Sequence, residues 1–110
     1  MFEINGNTIS LTRGDSLSVE VFLYKDDETY IPKSEDKVKF TVKKDFTDAI
    51  PLIQKTIFPN DDSEFVLELL PSDTKPLPFG RYKYDMEITE EGGKVYTFVI
   101  GDFVITEEVS

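Results

Sequence analysis

The chain contains no cysteine and no histidine. Without cysteine there is no disulfide, no thiolate nucleophile and no sulfur ligand for a metal. Without histidine no Ser-His or Cys-His pair can form, and the commonest ligand for zinc and iron is missing. Tryptophan is absent as well, which removes the ring most useful as a flat sugar-stacking platform. Positive charge is scarce: 12 Lys and Arg stand against 22 Asp and Glu, a formal net charge of -10. Nucleic-acid binding rests on phosphate neutralisation by Lys and Arg, so this balance opposes it. It disfavours anionic membrane surfaces too. No apolar run approaches the roughly 20 residues that span a bilayer. The N-terminal residues "MFEING" lack the basic start and apolar stretch of a signal peptide, so synthesis and release in a cytoplasm are expected.

What the chain does have is alternation. In "SLSVEVFLY" Leu17, Val19, Val21 and Leu23 fall on one face. In "DKVKFTVKK" Val38, Phe40 and Val42 alternate with lysines and Thr41. In "RYKYDMEIT" Tyr82, Tyr84, Met86 and Ile88 alternate with charged residues. "SEFVLELL" and "KVYTFVIGDFVIT" follow the same rule. A period of two means strands with one buried face, and no stretch keeps a 3.6-residue apolar period over three turns. Strands are expected at residues 2–4, 8–12, 16–24, 37–44, 51–58, 64–70, 81–89 and 94–106. The length of 110 residues suits one domain, residues 1–110. The expected class is all-β: an antiparallel immunoglobulin-like β-sandwich of about seven or eight strands.

Several smaller features carry expectations. Glu91-Gly92-Gly93-Lys94 predicts a hairpin turn with positive φ at both glycines. Gly101 predicts a bulge or bend within the last strand. Pro71-Ser72-Asp73-Thr74-Lys75 predicts one helical turn, stopped by Pro76 and Pro78. Asp26-Asp27-Glu28 and Asp61-Asp62-Ser63-Glu64 are oxygen-rich, but neither has the alternating acidic pattern of a calcium loop, so solvated turns are expected. Tyr82 and Tyr84 share a face with Met86 and Ile88. Core burial is expected, with one hydroxyl bonded to a loop carbonyl. Lys37, Lys39 and Lys43 form an outer stripe that can meet Asp85 or Glu87 across strands or guard an exposed edge. Arg13-Gly14-Asp15 matches an adhesion tripeptide. Its neighbours "TISLT" and "SLSVEV" are strand-like, so a corner between strands is expected, with Arg13 exposed.

No phosphate loop, nucleophile elbow or dinucleotide fingerprint is present, and no carboxylate pair is singled out for catalysis. No enzymatic activity, cofactor or metal is expected. One region favours interaction: Phe46, Ile50, Leu52, Ile53 and Phe58 concentrate apolar side chains around a loop and an expected edge strand.

The order of "TRGDSLSVEVFLY", "DKVKFTVKK", "LIQKTI", "LLPSDTKPLPFGRYKYDMEIT" and "GGKVYTFVIGDFVITEEV" resembles the immunoglobulin-like domains of bacteriophage baseplate and tail proteins. The similarity is greatest to the N-terminal domain of baseplate upper proteins, and these segments cover nearly the whole chain. The resemblance implies a structural part in a phage or prophage particle, with neither catalysis nor cofactor. Its implied partners are phage structural proteins or further copies of the chain, and its implied location is the virion tail or baseplate after synthesis in the bacterial cytoplasm. The alternative is a carbohydrate-binding or adhesive immunoglobulin-like module on a virion or cell surface.

Overall fold

The computed structural model describes residues 2–5, 7–25 and 28–107, with the backbone alone at residues 2–5 and 25. The chain is all-β apart from one helical turn. Its elements are β1 (Phe2–Asn5), β2 (Thr8–Thr12), β3 (Leu17–Val21), β4 (Tyr24–Lys25), β5 (Glu28–Thr29), β6 (Lys37–Lys43), β7 (Ile53–Ile57), β8 (Phe65–Leu69), α1 (Pro71–Thr74), β9 (Gly80–Thr89) and β10 (Val95–Thr106). Six strands form one sheet in the order β1-β2-β10-β9-β6-β7; β3 pairs with β8 and β4 with β5 in two small sheets.

The alternating pattern explains the layering. Val38, Phe40 and Val42 on β6 lie opposite Ile88, Met86 and Tyr84 on β9, so both strands turn their apolar sides the same way. Leu17 opposite Leu69 and Val21 opposite Phe65 do the same for β3 and β8. These side chains join a single buried cluster with Ile9, Leu11, Phe103 and Ile105, with Val21 partly buried against it. At its centre the Phe40 ring lies 5.6 Å from that of Tyr84 and 6.1 Å, edge-on, from that of Phe103. Burial of each large apolar side chain contributes about 1.5–3 kcal/mol.

Several sequence expectations are corrected. Residues 16–24 are not one strand: regular pairing stops at Val21, and Tyr24 belongs to the β4–β5 pair. The pairing is not wholly antiparallel, because β2 runs parallel to β10. The irregularity in β10 falls between Thr97 and Val99, whereas Gly101 stays in register opposite Tyr84. Gly101 is required for another reason. A Cβ there would lie 2.1 Å from the Asn7 carbonyl oxygen. That carbonyl accepts a hydrogen bond of 2.7 Å from the Tyr84 hydroxyl, so the turn after β1 is drawn onto the sheet. At the β9–β10 turn only Gly93 has positive φ, at 92°.

A buried carboxylate that sequence patterning did not single out fixes the loops at one end. Asp36 is fully buried. Its oxygens accept the Tyr30 hydroxyl at 2.6 Å, the Lys33 amide at 2.8 Å and the Glu91 amide at 2.8 Å. Burial alone would raise its pKa, but these donors outweigh burial and hold it below the ordinary value. Burial, together with the Asp36 charge, pushes the Tyr30 hydroxyl upward.

Candidate functional site

β7 is the last strand of the six-stranded sheet, so its outer backbone edge has no strand partner among the described residues. The loop that leads into it, residues 44–52, is organised by its own polar groups. Asp45 and Asp48 clasp each other: the Asp45 amide donates to Asp48 Oδ2 at 3.0 Å, and the Asp48 amide donates to the Asp45 carbonyl at 3.0 Å. Asp45 Oδ1 also accepts from the Thr47 amide and hydroxyl, which lowers the Asp45 pKa. The Leu52 amide then donates to the Val42 carbonyl at 2.7 Å and seats the chain beside β6.

This framework presents apolar side chains to solvent. Phe46 is 46% exposed, Ile50 78% and Leu52 43%. Ile53 differs from the expectation: it is 5% exposed, because the alternation of β7 turns Ile53 and Ile57 into the core and leaves Leu52, Gln54, Thr56 and Phe58 outside. Phe58 is 61% exposed. Six residues from Leu52, it lies about 20 Å away at the strand rise of about 3.3 Å. The structure therefore gathers Phe46, Ile50 and Leu52 at one end of β7 and places Phe58 at the other.

β7 also carries a cation on its inner side. Lys55 lies in register opposite Phe40, and its ammonium reaches Asp73 of α1 at 3.0 Å. An inward charge on an outer strand is one of the devices that discourage indiscriminate edge pairing. Lys37, Lys39 and Lys43 do not guard an edge, contrary to the alternative expected from sequence, because β6 is flanked by β7 and β9. Lys39 lies directly opposite Glu87. On the same outer face Asp102 accepts Arg81 at 2.7 Å and Lys83 at 2.6 Å, and these two cations hold its carboxyl below the ordinary range.

The remaining candidates take structural places. Tyr82 and Tyr84 are buried, and both hydroxyls find carbonyls: Tyr82 bonds to Pro78 at 2.6 Å and Tyr84 to Asn7. Burial raises both hydroxyl pKa values. Arg13-Gly14-Asp15 is the turn after β2, closed by the Asp15 amide on the Thr12 carbonyl at 3.0 Å, with Gly14 at φ 84°. The Gly14 amide donates to the buried Thr74 hydroxyl at 2.8 Å, and the Arg13 amide to the Thr106 carbonyl at 3.1 Å. Arg13 is half-buried rather than exposed, its guanidinium 4.5 Å from the centre of the Phe79 ring. An adhesion tripeptide needs a free loop tip; this one is bonded on two sides.

Asp26 and Asp27 lie outside the described residues. Around Asp61-Asp62-Ser63-Glu64, the Asn60 side chain accepts the amides of Asp62 and Glu64 at 3.0 Å each, a polar turn that satisfies itself. Among the described residues no group of three or more acidic side chains is placed to hold a metal ion. No helix among them is long and apolar enough to cross a membrane. Two open clefts are small: one of about 180 Å³ between Phe22, Ile31 and Glu64, and one of about 240 Å³ between β7 and β8. Pockets that enclose small molecules run from roughly 300 Å³ upward. Exposed apolar side chains thus stand at the β6–β7 loop and again at Phe22, Tyr24 and Ile31, and the outer edge of β7 has no strand partner among the described residues. Compared with protein-family models, curated proteins and solved structures, the chain matches none.

Proposed function

We propose that the chain is an immunoglobulin-like β-sandwich serving as a non-enzymatic assembly module of a phage or prophage tail or baseplate, docked through the β6–β7 loop and the β7 edge. The observation that carries the docking reading is the self-bonded loop that holds Phe46, Ile50 and Leu52 in solvent. Apolar groups held rigid before contact lose little entropy on binding. The sandwich reading is supported by β2 running parallel to β10, by the run β10-β9-β6-β7 in one sheet and by β3–β8 sharing its core. The bond from Tyr82, near the start of β9, back to the Pro78 carbonyl is the corner such sandwiches use. The phage context comes from the order of the sequence segments. It makes phage structural proteins the docking partners and the virion the location, with no part for nucleic acid or membrane.

The test is incorporation. Particles are purified from a host that carries the chain with Phe46→Ser and Ile50→Ser together, and tail fractions are probed for it. Incorporation of the unaltered chain and loss of the double variant are expected; absence of the unaltered chain from particles refutes the phage reading. The adhesive alternative draws on Phe22 and Tyr24, both well exposed two residues apart. A glycan array with and without Ca²⁺ decides it: selective sugar binding favours that reading over assembly.

A further inference from the structure

The sheets around the core are unequal, six strands against the two of β3–β8. β8 has β3 on one side and no strand on the other among the described residues. Its outer edge therefore presents a row of backbone amides and carbonyls without a ladder. The cleft of about 240 Å³ between β7 and β8 opens there, lined by Thr56 and Phe58 of one strand and Val66 and Glu68 of the other. Phe58 is exposed and Val66 half-buried. The two edges differ in protection. β7 carries the inward charge of Lys55, engaged by Asp73 at 3.0 Å. The inward residues of β8 are Phe65, Leu67 and Leu69, all apolar and buried, and its ladder with β3 runs without a bulge. No inward charge, proline or bulge keeps a further strand from β8. The outward side chains of this small sheet are Ser18, Glu20, Val66 and Glu68, without a cation, and Glu68 stands opposite Ser18.

We propose that the open edge of β8 accepts an extended segment of a partner protein as a third strand, with a Lys or Arg of that segment beside Glu68 and an apolar side chain beside Val66. This rests on the assembly reading above and adds a second contact to that of the β6–β7 loop. In strand addition the backbone bonds supply affinity and alternate side chains supply the choice of partner. An added strand alternates inward and outward as β8 does. Its inward positions continue the apolar face of Phe65, Leu67 and Leu69. Its outward positions meet Glu68 and Val66, so they call for a cation at one and an apolar group at the other. A carboxylate beside Glu68 would add like charge to a face that already holds Glu20. The recognised segment is thus extended and apolar, with one basic residue two positions from an outward apolar one. β8 is only five residues long, so the contact alone is weak and acts together with the loop.

The test is an NMR titration of the full chain, labelled with nitrogen-15, against the synthetic peptide acetyl-Ser-Val-Lys-Val-Val-Val-Ser-amide up to about 1 mM, a weak but measurable range. Saturating shifts at the amides of Phe65–Leu69, with slowed hydrogen exchange there, are expected. The same peptide with alternate backbone amides N-methylated is expected not to bind. A peptide with Glu in place of Lys is expected to bind about threefold to tenfold more weakly. Glu68→Lys, an exposed substitution, is expected to reverse that preference. If this variant fails to fold, Glu68→Gln replaces it and is expected to bind the two peptides alike. No shift up to that concentration, shifts confined to β7 or to the β6–β7 loop, equal binding of the N-methylated peptide, or no preference between Lys and Glu each overturns the proposal. None of these outcomes touches the incorporation test, which depends on Phe46 and Ile50.

Discussion

At the residue scale, two side-chain environments decide more than their neighbours. Gly101 has no room for a methyl group, because the Asn7 backbone occupies the place where a Cβ would stand. Gly101→Ala must separate the turn at Asn7 from β10 and disturb the Tyr84 hydroxyl bond. It is expected to cost about 2–3 kcal/mol by thermal or denaturant unfolding, in the range of overpacked sites. Gly92→Ala is the control: a Cβ there meets nothing within 4 Å, and its φ is not positive, so its effect is expected to stay within about 0.5 kcal/mol. Asp36 is the second. Asp36→Ala removes a carboxylate that accepts from the Lys33 and Glu91 amides and the Tyr30 hydroxyl, and is expected to destabilise by about 3 kcal/mol. The sign of the pH effect follows from the direction of its shift. A carboxyl held below its unfolded value contributes stability above the ordinary aspartate value of 3.8 and loses it as pH falls through the folded value. Acid unfolding curves of the unaltered chain should therefore fall more steeply below about pH 4 than those of Asp36→Asn.

At the element scale, β7 combines an open edge with an inward lysine. The Lys55–Asp73 pair is partly solvated, so it contributes at most about 1 kcal/mol to stability. An inward charge on an outer strand discourages indiscriminate edge pairing more than it adds stability. Lys55→Thr is expected to leave the melting temperature nearly unchanged while raising thioflavin-positive aggregation on prolonged incubation; an unaltered aggregation rate would remove that role. The same elements show what sequence reading can reach. β6 and β9 were legible because apolar and polar residues alternate from Val38 to Val42 and from Tyr82 to Ile88, although Thr41 is itself buried. The break after Val21 was not, since Phe22, Leu23 and Tyr24 continue an apolar run whose last ring leaves the core for the β4–β5 pair. The use of Gly101 was hidden for a related reason. A glycine inside a strand signals either a bulge or a close approach, and only the folded position of Asn7, 94 residues earlier, distinguishes them. The parallel contact of β2 with β10 joins the two ends of the chain and leaves no local trace in either segment. At the site, the exposed members Phe46, Ile50 and Leu52 and the core member Ile53 look alike by composition. The alternation of β7 separates Ile53 from Leu52, whereas the clasp of Asp45 and Asp48 that shapes the loop depends on backbone geometry.

At the scale of the whole molecule, a single buried core lies beside one self-bonded loop that exposes apolar side chains. Stability and docking are thereby separated: the residues that hold the sheets together are buried, whereas Phe46 and Ile50 extend from a loop that bonds to itself. Replacing both by serine is expected to change unfolding free energy by no more than about 0.5 kcal/mol each, as for other exposed sites. Incorporation of this double variant into tail particles is the measurement that bears most directly on the account. The account predicts that the unaltered chain is found in purified particles and that the folded Phe46→Ser, Ile50→Ser chain is not. Equal incorporation of the two would contradict docking through the β6–β7 loop.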